Sequence, residues 1–346
     1  MNLLIRINIC AGILVSFFSC TNKVDNTKEM LKNAIPLQTK ELEIDFFLGK
    51  PSQITICNDV LVITDNIEEK VLAFYDIQDN LFIGRGLTVG QGPNEVITPL
   101  LLSRSSESKT LSIMQRQDGH YMEYDVEILS EGDATPNRSL NLENTDRFVQ
   151  TANGFITSGP NEGGSINILN ATGEIIKNQN IYPRYVNDLE QIDARYVYGQ
   201  GHIAYNKENN VMAFASYFSG EASFYRLRKD SLEKLNEFDF SLSPSFRNRI
   251  KNSTGRAKIE RTDIEYFSDI YATPNYFYAL YTGMQRRDKE AGADSYVFKF
   301  SVLGELIACY KVDHRILSLC VQGNDEKMYA IGFSEDMDYV LIEAKL

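Results

Sequence analysis

The sequence predicts an all-β fold, a six-bladed β-propeller whose last blade is closed by an N-terminal strand. Three observations carry that reading. Short apolar runs bounded by Gly, Asn, Asp and Pro follow one another as strand, turn and strand, with a repeat of about fifty residues. A glycine-rich stretch, residues 83–96, joins the first two repeats and fits a crossover between blades. The sixth repeat is one strand short, while a strand-like run near the N-terminus, residues 41–48, is left over. Closing the ring with that run pairs an otherwise bare sheet edge.

The repeats can be taken in order. The first comprises runs 53–57, 60–65, 71–76 and 81–85, with Asn58-Asp59 turning between its first two strands. The second has 96–103, 110–116, 120–128 and a weaker 139–142. The third has 147–152, 154–159, 165–170 and 174–180, and the fourth 202–206, 210–216, 221–228 and 232–240. The fifth has 267–273, 276–283, 294–301 and 305–312; the sixth has 316–322, 327–333 and 339–345. Asn153-Gly154, Asn209-Asn210 and Asn324-Asp325 recur at the position of Asn58-Asp59. The 19 Tyr and 19 Phe suit half-buried strands.

The glycine stretch is tested against nucleotide loops. Gly84 and Gly86 fit the first two positions of G-x-G-x-x-G, but the third is Val89, and Gln91-Gly92-Pro93 turns the chain where a helix would have to open. No Gly-Lys-Ser/Thr follows. Gly84-Arg85-Gly86 with Gly90-Gln91-Gly92-Pro93-Asn94-Glu95 instead resembles the G-x-G-x-G-P-x-E signature of six-bladed, TolB-like propeller lipoproteins of Gram-negative envelopes. The resemblance implies fold and location, since the molecular function of that family is poorly defined.

Residues 1–20 read as a secretion signal. Arg6 is its positive region, and the apolar run 7–18 is shorter than the roughly 20 residues a spanning helix needs. Phe17-Phe18-Ser19-Cys20 resembles a lipobox, with Cys20 as the lipidated first residue; an ordinary signal peptide with an incidental cysteine is the alternative. Residues 21–38 are polar and aperiodic and read as a flexible tether, leaving 39–346 for the propeller. The expectation is a monomer in the cell envelope, held to the outer membrane through this anchor.

The net charge of −12 disfavours nucleic acid. No G-x-S-x-G elbow occurs, the three histidines (His120, His202 and His314) are far apart, and Cys57, Cys309 and Cys320 have neither zinc nor disulfide spacing. No catalytic residue, metal site or cofactor is assigned. Binding is the better supported class. The loop face of a propeller would collect Arg85, Gln91, Asn94 and Glu95 from the first crossover, then Asn161, Glu162, Arg184, Tyr185, Tyr196, Tyr198, Tyr217, Phe218, Arg247, Arg286 and Arg287. Two long connections feed it. Residues 181–201 are rich in tyrosine, and 241–266 carry six cations between Arg247 and Arg261, with a short helix expected after Pro244. That basic loop reads either as a solvated segment or as a surface for an anionic partner. The expected function is an envelope-anchored, non-catalytic binding or scaffold protein for a protein, peptide or glycan; the alternative is a glycan hydrolase or lyase on the same propeller. Paired carboxylates at the channel mouth would favour the enzyme, and an aromatic–arginine surface would favour binding.

Overall fold

The computed structural model describes residues 26–92, 94–106, 109–132, 134–240, 244–285 and 295–346. Its main strands form six antiparallel sheets, each running from inner to outer strand in chain order. Blade one is Pro51–Cys57, Val60–Ile67, Lys70–Asp76 and Leu81–Val89. The inner strands of blades two to six are Leu100–Leu102, Arg147–Thr151, Gly201–Asn206, Ile264–Ala272 and Arg315–Val321. Second strands are sealed between neighbouring blades and lose their alternation: Val211–Ser216 is buried at every position. Outer strands are wet, as Ile175–Gln179 shows. The predicted turns are present, with Asn58 and Asp59 at φ of 49° and 62°, the left-handed pair that a tight hairpin needs.

Among the described residues five short helices accompany the strands: α1 (Asn26–Lys32), α2 (Val126–Ser130), α3 (Arg184–Asn187), α4 (Ile192–Gly199) and α5 (Pro244–Lys251). α5 is the helix expected after Pro244. α2 corrects the third strand of blade two, which ends at Asp125 and not at residue 128. The Asp125 carboxylate accepts from the Glu127 and Ile128 amides at 3.0 and 3.3 Å, an N-cap that turns the chain out of the sheet.

The N-terminal segment departs from expectation in two ways. The strand that completes blade six is Thr39–Glu41, antiparallel to Tyr339–Lys345, so the closing strand lies before the run 41–48 and touches it only at Glu41. Residues 26–37, read as tether, include α1 and a strand, Ile35–Leu37, parallel to the outer strand of blade five, Leu306–Val312. Met30, Leu31 and Ala34 pack on the core between blades four and five, and Leu37 is buried beside Val312 and Ile316. A few apolar residues in a polar stretch suffice because the two sheet edges supply the backbone partners. The crossover differs as well. Glu95–Val96 pairs parallel with Thr88–Val89, so Val96 belongs to the edge of blade one and the inner strand of blade two begins at Leu100. Cys57, Cys309 and Cys320 are buried thiols outside any disulfide, and burial pushes the Cys57 and Cys309 thiols up to about 12.

One side chain ties four blades across the axis. Arg104, just beyond the inner strand of blade two, donates to the Ile54 carbonyl of blade one at 2.6 Å and to Asp269 Oδ2 of blade five at 2.5 Å. It also donates to the Leu319 carbonyl of blade six at 2.6 Å. Asp269 accepts in addition from the Ser318 hydroxyl at 2.6 Å and the Leu319 amide at 3.2 Å. Burial pushes the Asp269 carboxyl up, and Arg104 with these donors opposes that push. Replacing Arg104 by Met strands Asp269 and takes a donor from three carbonyls, those of Ile54, Ile270 and Leu319. It is expected to lower stability by about 3–5 kcal/mol in urea unfolding, and Asp269→Leu in the same chain should restore part of the loss.

The closing strand has its own latch. His314 Nε2 lies 3.1 Å from Glu41 Oε1, and Nδ1 lies 2.6 Å from Thr39 Oγ1 and 3.1 Å from Asp313 Oδ1. Partial burial disfavours the charged ring, but the hydrogen bonds and charges of Asp313 and Glu41 outweigh it and raise the imidazole above its ordinary 6.5. A raised histidine stabilises fully below the unfolded value and loses that contribution as pH rises through the folded one. His314→Gln should therefore lower the melting temperature more at pH 5.5 than at pH 8.5, by no more than about 1 kcal/mol because both carboxylates are exposed. An equal loss at both pH values would refute the latch.

Candidate functional site

The signature crossover is held together by its own groups. Glu95 Oε2 accepts from the Gly92 amide at 2.6 Å, and a Cβ on Gly90 would lie 1.9 Å from that carboxylate. A Cβ on Gly86 would meet the Phe74 ring at 2.9 Å and the Leu129 carbonyl of α2 at 3.0 Å. The glycines are therefore demanded by packing, and Glu95 is a loop staple. Arg85 donates to Asp65 Oδ2 at 2.9 Å and to the Phe47 carbonyl at 2.7 Å, joining blade one to the closing segment. Of the crossover residues singled out in the sequence, Gln91 and Asn94 stand exposed at the tip; Pro93 lies outside the described residues.

Over blades three and four the long connections fold into a cap. Tyr182, Val186, Tyr198, Phe218, Phe246 and Ile250 share one core cluster. Tyr198 is fully buried in it, and its hydroxyl accepts from the Lys258 amide at 2.9 Å, so it ties the two connections together and does not reach the surface. Tyr217 packs edge-on against Phe218, with its ring centroid 6.1 Å from that of His202. The Arg247 guanidinium lies 5.6 Å from the centre of the half-buried Tyr185 ring, and exposed Arg184 pairs with Asp188 at 3.5 Å. Asn161 is half-buried and Glu162 exposed on the neighbouring turn. Arg286 and Arg287 lie outside the described residues. The basic loop is partly neutralised: Arg249 pairs with Glu260 at 2.9 Å and with Asp263, and Lys258 with Glu260 at 3.1 Å. Arg247, Lys251, Arg256 and Arg261 are exposed and make no ion pair among the described residues.

The chemistry at the channel mouth centres on residues that the sequence reading passed over. Asp146, in the crossover between blades two and three, receives Arg116, Arg147 at 2.7 Å and the Tyr196 hydroxyl. Burial pushes the Asp146 carboxyl up, but Arg147, Arg116 and Tyr196 more than reverse this and hold it below its ordinary value. His202 lies on the inner strand of blade four. Burial and the nearby Arg147, Arg104 and Arg116 push its imidazole well down, so it is neutral at pH 7. The other histidines are structural: His120 bonds Asn141 and Ser139, and His314 closes the ring.

Beside Asp146 opens a cleft of about 520 Å³, lined by residues 116–119, residues 143–146, Pro160 and Tyr196. Two glycines press its walls together. A Cβ on Gly119 would strike the Leu142 carbonyl at 2.2 Å, and one on Gly159 the Asn144 carbonyl at 2.0 Å. Among the sequence candidates only Tyr196 lines it. A signal was available, since residues 116–119 form the turn between second and third strands, the position class that faces ligands. Among the described residues no three His, Cys, Asp or Glu side chains gather as a metal site.

These features define a six-bladed β-propeller whose axis is tied across by Arg104 and whose loop face carries a helical cap and a polar cleft. The chain belongs to the TolB-like six-blade propeller family, whose pattern matches residues 28–324. Among solved structures, a Bacteroides fragilis protein described as exported is similar at 13% identity and TM-score 0.58, over 90% of this chain and 93% of that one. A DUF4221-family member from Bacteroides vulgatus is similar at 12% identity and TM-score 0.55, over 90% and 96%. A luciferin-regenerating enzyme is similar at 10% identity and TM-score 0.51, over 90% and 95%. At such identities the likeness is one of fold. No curated protein sequence matches the chain.

A depressed carboxyl stabilises the fold above its unfolded value and loses that contribution as pH falls through the folded one. Asp146→Asn should therefore destabilise the protein at pH 7, by about 1–3 kcal/mol, and flatten the acid limb of a melting profile taken from pH 7 down to pH 2. An acid limb as steep as that of the wild type would mean that Asp146 is not held in this way.

Proposed function

We propose that this chain is an exported, lipid-anchored propeller that binds a partner on its loop face without transforming it. The observation that carries the reading is the state of the channel mouth. Asp146, a largely buried carboxylate there, is held ionised by two arginines and a tyrosine hydroxyl, and His202, near Arg147 and Arg116, is neutral. A carboxylate fixed by ion pairs in this way suits recognition, whereas a general acid needs a carboxyl held protonated near neutral pH. The cap adds a packed shelf with Tyr185, Arg184 and Arg247 at its rim, and an aromatic–arginine surface is the usual composition of a binding hot spot.

The leader and Cys20 support export and anchoring, and the likeness to a structure described as exported supports export alone. An outer-membrane lipoprotein carries several acyl chains, which a stable anchor needs. Cys20→Ala is expected to move the protein from the membrane fraction to the soluble envelope fraction; a variant that stays with the membrane refutes the anchor.

Crosslinking in intact cells, followed by mass spectrometry, identifies the partner. If that partner is anionic, replacing Arg247, Lys251, Arg256 and Arg261 by Ser should weaken its binding and flatten the salt dependence. Arg249 is left intact because its pairs with Glu260 and Asp263 hold the loop. An unchanged affinity and salt slope would make the basic rim an ordinary solvated edge.

A further inference from the structure

We infer that the cleft between blades two and three is a subsite for a neutral sugar ring. This rests on the binding role proposed above and names its ligand class. The donors and acceptors of the cleft are the argument. Arg116 only donates, Asp118 and Glu143 only accept, and the amides of Gln117 and Asn144 do both. Sugar hydroxyls, which each donate and accept, satisfy such a mixed set. A carboxylate or phosphate ligand would face Asp118 and Glu143, so the lining selects against anions, while Arg116 is already paired with Asp146.

The walls fit as well. The half-buried Tyr196 ring has its hydroxyl fixed on Asp146 and stands with Pro160 as an apolar surface for the C–H face of a pyranose. The polar groups are held in place. Asp118 Oδ1 accepts from the His120 amide at 3.1 Å, Arg116 is anchored on Asp146, and Asn144 sits at φ 52° on a crossover clamped by Gly119 and Gly159. The volume of about 520 Å³ lies within the roughly 300–1,000 Å³ of small-ligand pockets.

The test uses the full chain, extracted from its membrane in detergent, and isothermal titration with maltohexaose, cellohexaose, mannohexaose and N-acetylchitohexaose. Hexagalacturonate and hexalysine serve as the anionic and cationic comparisons. At least one neutral hexaose is expected to bind. Gln117→Ala should weaken it about fivefold or more, because it removes a hydroxyl partner on the exposed wall, and Glu143→Gln should weaken it as well, because a charged acceptor becomes a neutral amide. Tyr196→Ala should weaken it about tenfold or more, whereas Tyr196→Phe keeps the stacking face and should stay within about twofold. Melting temperatures separate these effects from misfolding, and Gln117→Ala, on an exposed turn, provides the variant least coupled to stability.

Three results would overturn the subsite: no neutral hexaose binding at millimolar concentration, tighter binding of hexagalacturonate or hexalysine, or affinities indifferent to Gln117→Ala and Glu143→Gln. New reducing ends that vanish in Glu143→Gln would retain the subsite and overturn the non-catalytic reading. A protein that is anchored and crosslinks to a partner but ignores all four sugars would leave the proposed function standing and remove this inference alone.

Discussion

A propeller concentrates its inner strands around an axis, and the first problem it must solve is what fills the middle. Here the answer is the Arg104–Asp269 pair. Apolar side chains alone could fill the space, but they would not tie together the carbonyls of Ile54, Ile270 and Leu319, which come from three different blades. A planar guanidinium with five donors reaches them all from one position. The pair brings a desolvation penalty with it, which is why the hydroxyl of Ser318 and the amides of Ile270 and Leu319 crowd the carboxylate. The rest of the ring is organised around this knot, because it fixes the relative placement of blades one, two, five and six.

The second constraint is the edge left where the chain ends. The N-terminal segment meets it twice, first lying parallel along blade five and then supplying the outer strand of blade six. His314 stands between the two pairings and reads both Thr39 and Glu41. Closure therefore combines backbone pairing, which recovers the hydrogen bonds of two open edges, with a short ionic contact that sets the register. The same segment leads back toward Cys20, so the proposed anchor would pull on the seam of the ring.

The loop face divides its labour between two kinds of group. The glycine signature, the most conspicuous feature of the sequence, serves packing: Gly86 admits α2, and Gly90 and Gly92 admit the carboxylate of Glu95. Of the tyrosine-rich connection, Tyr182 and Tyr198 became core, Tyr185 a platform for Arg247, and Tyr196 a wall of the cleft. The cleft residues Arg116, Gln117, Asp118, Glu143 and Asn144 had looked like ordinary turn residues.

The strand rhythm and the paired turns at Asn58-Asp59 and Asn324-Asp325 were legible because each is a local property, as was the need for an N-terminal closing strand, although that strand is Thr39–Glu41 and not the run 41–48. Alternation, left-handed φ and β-propensity act within a few residues of one another. From these the six-bladed ring and its manner of closure follow. Short strands such as Ile35–Leu37 were not legible, since three residues carry no pattern and are held by the edge they meet. Nor was the site. Whether Tyr198 is buried and Tyr196 half-buried on the cleft wall, whether Arg249 is spent on Glu260 and Asp263 while Arg247 is not, and which turns meet at the cleft all depend on contacts between residues distant in sequence. Sequence determined the ring because the strand code is local; tertiary structure decided the site because recognition in a propeller is assembled from loops that only the closed ring brings together.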